Sequence, residues 1–177
     1  ITEIRAIEFE GVTHFDPDEI REQLKTQKYD FFGDGGYLQV QKFFKELEDL
    51  RTRYREDGFR NARFVGFQPT EGSYLRSRER RGQVDVFYFV SGDIGFTAKQ
   101  PIDENVVYLK VEFEEGERTI LRKLQVEGCE SHCSSMRRMM KFPDGSAYSR
   151  SILKGALRNA QLYFEDRGYP KVAFSLE

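Results

Sequence analysis

The chain has 177 residues, enough for one ordinary domain or two small ones, and is polar for a globular protein, with 38% hydrophobic and 33% charged residues. Its net charge of −2 argues against the basic footprint of a nucleic-acid-binding protein. The longest apolar run is VFYFV, from Val86 to Val90, whereas a membrane-spanning helix needs about 20 residues. The sequence starts at Ile1 rather than Met and shows no signal peptide, so we expect it to be part of a longer protein.

The first elements in chain order are a strand, two helices and another strand. Residues 3–11 (EIRAIEFEG) alternate as a strand does, and DPDEIREQL, starting at Asp16, has a capping residue and a proline typical of a helix start. A longer helix is predicted within residues 38–57, because apolar residues recur there every three or four positions. Residues 60–67 are predicted as the second strand, and the alternating residues 107–114 as a later, half-buried one.

Between these last two strands lies a long insertion, at about residues 70–103, where a hairpin loop would need only a few residues. Its second part, VDVFYFVSGDIGF, predicts an inserted hairpin with Gly92-Asp93 near the turn. Its first part holds a run of arginines, interpreted as a solvated loop. The alternative is a contact for anionic lipid headgroups or an accessory subunit. The arginines are Arg76, Arg78, Arg80 and Arg81.

The chain contains an internal repeat. Residues 120–128 (ILRKLQVEG) match residues 3–11 at an offset of 117, and both segments end on Glu-Gly. Residues 163–174 (YFEDRGYPKVAF) likewise resemble residues 54–64 (YREDGFRNARF), each with a glycine where a helix ends. The chain therefore carries two diverged copies of one unit.

The second copy repeats the order of elements. Three methionines, at positions 136, 139 and 140, mark a short helix, and Ser149 caps a longer one. Residues 171–176 are predicted as its second strand. No last strand is found before Glu177, so we expect this copy to be truncated or unfinished.

Cys129 and Cys133 lie four residues apart beside His132. A zinc site would need about four ligands, and His14 is the only other histidine. A disulfide would require an oxidising compartment. Two free or partly buried thiols are the favoured interpretation.

This combination resembles the POTRA (polypeptide-transport-associated) domains of BamA-type outer-membrane assembly factors. The motifs are IRAIEFEG, YREDGFRNARF, VYLKVEFEEGERTILRKLQVEG and FEDRGYPKVAF, and the resemblance covers roughly residues 1–69 and 104–177. It implies an α+β fold of two tandem β-α-α-β-β modules, each a three-stranded mixed sheet backed by two helices. The modules would be residues 1–117, with the insertion, and residues 118–177. Tandem copies favour the BamA or TamA branch.

The resemblance also implies a function. The chain would be a periplasmic region of an outer-membrane β-barrel assembly or translocation factor in a Gram-negative bacterium, attached through a C-terminal β-barrel outside this chain. Its partners would be unfolded outer-membrane proteins, periplasmic chaperones and accessory lipoproteins, but not nucleic acid. It would be no enzyme, with no catalytic residues, cofactor or metal.

We expect clients to bind by strand addition, because an edge strand has unpaired main-chain groups that an extended polypeptide can pair with. The family's recipient edge is the second strand. The alternatives are that these edges are merely protected, or that the modules are a scaffold that holds lipoproteins without touching clients. The candidate residues are Asn61, Arg63, Val65 and Phe67 in the first copy and Lys171, Val172, Ala173 and Phe174 in the second.

A rival interpretation concerns GDGG, from Gly33 to Gly36, which fits the G-x-x-G loop of KH nucleic-acid-binding modules. Asp30 and Asp34 are acidic where basic groups would be wanted, and the second copy has FPDGSAY instead. A flexible loop between the helices is the favoured explanation of these glycines.

Overall fold

The computed structural model describes residues 2–26, 36–72, 75–142, 145–169 and 171–174. It divides into two compact units. Unit 1 comprises Ile1–Arg53 and Asn61–Gly116, and unit 2 comprises Tyr54–Arg60 and Glu117–Glu177. Helices and strands are both present, which confirms the predicted α+β class.

The elements from the start of the chain to the end of the sheet follow the predicted order, except that the strand at Leu75–Arg81 was not predicted. They are β1 (Glu3–Glu10), α1 (Pro17–Gln23), α2 (Val40–Glu56), β2 (Arg63–Val65), β3 (Leu75–Arg81), β4 (Val84–Ser91), β5 (Ile94–Pro101) and β6 (Val106–Glu114). The predicted start of α1 is confirmed, because Pro17 occupies its first turn and the Asp16 side chain accepts a hydrogen bond from the Asp18 N–H.

Strand β6 is the centre of the sheet in unit 1. It pairs with β1 in parallel on one side. On its other side β5 pairs with residues 108–110 and β2 pairs with residues 112–114, both antiparallel. The second predicted strand, 60–67, is therefore shorter in the structure, because β5 occupies the next stretch of β6.

The insertion extends this sheet. β4 pairs with β5 and β3 pairs with β4, giving the order β1-β6-β5-β4-β3 among the described residues. The hairpin turn at Gly92-Asp93 is confirmed, since Ser91 pairs with Ile94.

The interpretation of the arginine run as a loop is wrong, because all four arginines lie in β3. This strand has no apolar alternation to reveal it; its pairing with β4 makes it a strand.

The inserted strands share one hydrophobic core with α2. The Phe96 ring of β5 stacks on Phe89 of β4, with centroids 5.0 Å apart, and meets Phe43 of α2 edge-on at 4.8 Å. Phe43 and Leu47 of α2 and Val111 of β6 are fully buried. The insertion is thus an integral part of unit 1 rather than a loose appendage.

Unit 2 has a helical core. After a 3₁₀ turn at Glu130–His132 come α3 (Cys133–Met140) and α4 (Arg150–Glu165), with Ser149 capping α4 as predicted. The buried cluster consists of Met136, Met140, Phe142, Leu153, Ala156, Ala160 and Phe164. Two of the three methionines that mark the predicted short helix, Met136 and Met140, are thus core residues.

The two strands predicted for the second copy, residues 120–128 and 171–176, are not formed in the part of the chain that is described. Residues 121–129 and 172–174 are irregular, and residues 175–176 lie outside the described ranges. A strand needs ladder hydrogen bonds from a neighbour. No described segment of unit 2 takes the place that β6 holds between β1 and β2.

The repeat nevertheless has the same local pairing in both copies. Glu3 forms an isolated bridge with Tyr37, and Ile120, 117 positions after Glu3, forms one with Ala147. After α2 the Phe59 N–H donates to the Tyr54 carbonyl at 3.0 Å, and after α4 the Tyr169 N–H donates to the Phe164 carbonyl at 3.0 Å. A left-handed glycine precedes each donor, with φ of 99° and 89°. These shared details support the two copies found in the sequence.

Candidate functional site

The sheet of unit 1 has free edges where a strand has a neighbour on one side only. Within the described ranges, β2 pairs with β6 alone and β3 pairs with β4 alone. The outer N–H and C=O groups of such strands are available to an added strand. The start of β1 is partly covered, since Glu3 bridges to Tyr37.

Strand β2 holds two of the four candidate residues of the first copy. Arg63 and Val65 lie in the strand, whereas Asn61 precedes it and Phe67 follows it. Arg63 is exposed and forms an ion pair with Glu114 on β6, at 2.5 Å.

Buried aromatic side chains hold β2 and the residues after it in place. The Phe64 ring is buried and packs edge-on against Phe113 of β6, with centroids 5.1 Å apart. Beyond the strand, the half-buried Phe67 ring covers Gly95 so closely that a Cβ there would lie 2.5 Å from it. The edge open to a client is therefore short, and both ends of it are fixed.

Arg51 of α2 contacts both β2 and the inserted hairpin. The sequence did not identify it as a candidate residue. Its side chain, 7% exposed, donates to Asp93 in the β4–β5 turn at 2.6 Å and pairs with Glu48 at 2.5 Å. Its guanidinium carbon also lies 5.9 Å from the centre of the Phe64 ring. The available signal was a charged residue four positions after Leu47, on the apolar face of α2.

The candidate residues of the second copy alternate like a strand but form none. Val172 and Phe174 pack against the core of unit 2, whereas Lys171 and Ala173 are exposed. A cavity of about 250 Å³ lies beside them, lined also by His132. These residues therefore have the face pattern expected of an edge strand without its ladder.

Cys129 and Cys133 are joined by a disulfide, with Cα atoms 5.0 Å apart. The favoured interpretation of two free thiols is therefore wrong. The two sulfur atoms are bonded to each other, so neither can bind a metal ion as a thiolate in this state. Elsewhere in the described ranges, no cluster of three or more His, Cys, Asp or Glu side chains could hold a metal ion.

The four arginines of β3 form two groups on opposite faces of the sheet. Arg78 and Arg80 both donate to Asp85, at 2.5 Å and 3.1 Å. These hydrogen bonds, led by that of Arg80, hold the pKa of Asp85 below its ordinary value. Arg81 instead pairs with Glu79 at 2.9 Å, and this bond lowers the pKa of Glu79.

The KH-like glycine loop and the question of membrane-spanning helices remain. Gly33–Gly35 of the KH-like loop lie outside the described residues, while the Gly36 carbonyl accepts the Ile4 N–H at 2.6 Å. No helix in the described ranges is both long and apolar enough to cross a membrane.

Comparison with known proteins places the chain in a family. Residues 2–116 match the POTRA family model, described as "Surface antigen variable number repeat". No curated protein matches the sequence. Among solved structures the chain is similar to the crystal structure of Haemophilus influenzae BamA POTRA3-5, with a TM-score of 0.47 and 16% identity. That match covers 95% of this chain and 56% of the other, so the chain spans little more than half the length of that structure. Since the family model covers more than half of the sequence, the chain belongs to the POTRA domain family, as its motifs predicted.

Proposed function

We propose that this chain is a periplasmic polypeptide-binding and scaffold region of an outer-membrane protein assembly factor. Its two modules would be residues 1–117 and 118–177. Its membership of the POTRA family, whose domains are non-catalytic polypeptide-binding modules, supports this function. The partners would be unfolded outer-membrane proteins, delivering chaperones and accessory lipoproteins.

The observation that carries the proposal is the free edge of β2. Its outer side pairs with no strand in the described ranges, while Phe64 and Arg63 fix the strand to β6. A client in extended conformation would add its backbone there through main-chain hydrogen bonds, which are largely independent of the client's sequence. The same edge could therefore serve many different clients.

The length of β2 indicates weak and reversible binding. Three residues offer only a few main-chain hydrogen bonds, each contributing about 0.5–1.5 kcal/mol net. A single edge would hold a client briefly, and several modules acting together would hold it longer. This behaviour suits a protein that passes its clients on.

Site-specific photocross-linking tests this proposal. A photoreactive amino acid at Val65, on the free edge, should form adducts with an unfolded outer-membrane protein. The matched control is Tyr108, 40% exposed but on β6, which is paired there on both sides with β1 and β5. We expect adducts at Val65 and few at Tyr108.

Two outcomes would count against client binding at this edge. Equal labelling at Val65 and Tyr108 would indicate unspecific contact. No labelling at Val65, with accessory lipoproteins still captured by the chain, would favour a scaffold that does not touch clients. A second probe at Val172 asks the same question of the second copy.

A further inference from the structure

The longest free edge of unit 1 is β3 rather than β2. β3 pairs with β4 over all seven of its residues, and no described residue pairs with its other side. We propose that β3 is a docking edge for an extended acidic polypeptide segment that carries carboxylates at alternate positions. This inference is independent of client binding at β2.

Three of the arginines, here called the arginine row, lie on one face of β3. Arg76, Arg78 and Arg80 are opposite Phe89, Phe87 and Asp85 of β4, respectively. Phe89 stacks on Phe96, which packs against α2, so the row lies on the helix-bearing face of the sheet. Alternate residues of a strand are about 6.6–6.8 Å apart, so the row repeats at that interval.

The arginine row has more positive charge than its surroundings neutralise. Asp85 is the carboxylate that pairs with Arg78 and also with Arg80. Arg76 has no carboxylate partner in the described part of the chain, and its guanidinium lies over the Phe87 ring at 4.6 Å. Three guanidinium groups therefore share one carboxylate, leaving an excess of positive charge on this face.

The opposite face of β3 is electrically balanced. Arg81 donates to Glu79 at 2.9 Å and to the Tyr88 hydroxyl at 3.0 Å. The excess charge is thus confined to alternate residues on one face. That pattern matches a partner strand whose acidic side chains also fall on one face.

Aromatic rings orient the arginine row for binding. The guanidinium carbon of Arg76 lies over the Phe87 ring and 5.7 Å from the centre of the Phe89 ring. The guanidinium carbon of Arg78 lies 5.8 Å from the centre of the Phe87 ring. A guanidinium stacked on a ring keeps its N–H groups in its own plane, where they can donate to a carboxylate in a bidentate manner. The side chains are therefore held in place before a partner arrives, which lowers the entropy cost of binding.

Charge complementarity favours an acidic strand over two other occupants. If β3 paired with β3 of a second copy, arginines would face arginines, and like charges directly opposite each other are destabilising. An anionic membrane would satisfy the charges but not the main-chain N–H and C=O groups of the edge. An extended acidic segment satisfies both.

The test uses the whole chain and a ten-residue peptide with Glu at alternate positions, compared with the same peptide carrying Gln. Binding is followed by fluorescence anisotropy. We expect the Glu peptide to bind at least 10-fold more tightly and its affinity to fall as salt is added. The double variant Arg76→Gln/Arg78→Gln should lose at least 10-fold in affinity. The matched control Arg81→Gln, on the balanced face, should lose less than about 3-fold.

Two N-methylated peptides test strand addition on the unaltered protein. Methylation of the amides on one edge of the peptide should abolish binding, and methylation of the alternate amides should leave it intact. Equal binding of both methylated peptides would overturn strand addition. An equal loss in Arg81→Gln would overturn the role of the arginine row. Binding to phosphatidylglycerol vesicles without peptide binding, or dimerisation through β3, would overturn the choice of partner. Cross-linking at Val65 is unaffected by any of these outcomes.

Discussion

The same sequence motif has different structures in the two units. In unit 1, residues 3–10 form strand β1, and Ile7 and Phe9 are buried. In unit 2, the matching residues 120–127 form one isolated bridge, and Leu124 and Val126 are half-buried. Both segments end at a left-handed glycine, so their local conformations agree at that point.

The difference lies in the neighbouring strand. β6 pairs with β1 along almost its whole length and contributes Leu109 and Val111 to the core. The described part of unit 2 has no such strand. A strand is therefore a property of a pair of segments, because ladder hydrogen bonds and cross-strand contacts stabilise it.

The two units also differ in how they fix the link between the repeated segment and the helix that follows it. In unit 1, the Glu115 carboxylate, just after β6, accepts the Thr13 N–H at 2.6 Å and the His14 N–H at 2.8 Å. In unit 2, the Cys129–Cys133 disulfide spans the corresponding link. In unit 2 a covalent bond thus fixes the link that hydrogen bonds to Glu115, the residue after β6, fix in unit 1.

The largest difference between the units is expected for Gly11→Ala against Gly128→Ala. Both glycines have positive φ, 84° and 74°, which costs about 1–2 kcal/mol for alanine. A Cβ at Gly11 would also lie 1.9 Å from the Phe113 carbonyl oxygen of β6, whereas nothing lies within 4 Å of one at Gly128. We expect Gly11→Ala to destabilise unit 1 by about 4 kcal/mol or more, since the main chain must shift.

Hydrogen exchange of the β6 and α4 amides reports on the two units separately. Gly128→Ala should lower the protection of α4 by about 1–2 kcal/mol and leave β6 unchanged. Equal effects of the two substitutions would show that β6 does not crowd Gly11.

A smaller difference is expected between Ile7→Ala and Leu124→Ala, which occupy matching positions in the repeat. Ile7 is 7% exposed under the β1–β6 ladder, so its truncation should cost unit 1 about 3 kcal/mol. Leu124 is half-buried, and its truncation should cost unit 2 about 1 kcal/mol. Urea unfolding followed by hydrogen exchange measures both, and a larger loss for Leu124→Ala would contradict the comparison.

Removal of the disulfide should affect unit 2 alone. In the loop-entropy model, a disulfide that closes a loop this short lowers the conformational entropy of the unfolded chain and so stabilises the folded state by about 2 kcal/mol. The double variant Cys129→Ser/Cys133→Ser should lower the stability of unit 2 by that amount. Glu115→Gln is the counterpart and should lower the stability of unit 1 alone. If the protection of α4 stays constant in the double variant, the disulfide does not stabilise unit 2.

The smallest effect is expected from acid, at the inserted edge of unit 1. The pKa of Asp85 is held below its ordinary 3.8 by Arg80 and Arg78, so this stabilisation is complete above pH 3.8. It is lost as pH falls through the lower, folded-state pKa. The protection factors of the β3 and β4 amides, which compare the observed exchange with the intrinsic rate at each pH, should therefore fall below pH 3.8. Asp85→Asn should remove that dependence, and a carboxylate titration at or above 3.8 by NMR would refute the ion pairing.

The sites that the sequence did not reveal depend on pairing across distant residues. Arg51 is a charged residue in an amphipathic helix until Asp93 and Phe64 are brought to it. The arginine run has no apolar alternation and looks like a loop, whereas its pairing with β4 makes it the outer strand of the sheet. The second predicted strand was too long for a similar reason, because β5 takes part of the β6 edge.

The sequence by itself determined the features that depend on neighbouring residues: the caps of α1 and α4, the apolar stripe of α2, the hairpin turn, the repeat and the POTRA family. These follow from local hydrogen bonding and side-chain periodicity, which a few consecutive residues specify. Only the tertiary structure decided which extended segments became strands and which edges remained free. Those outcomes depend on main-chain hydrogen bonds between segments far apart in the chain, and no short stretch of sequence contains both partners.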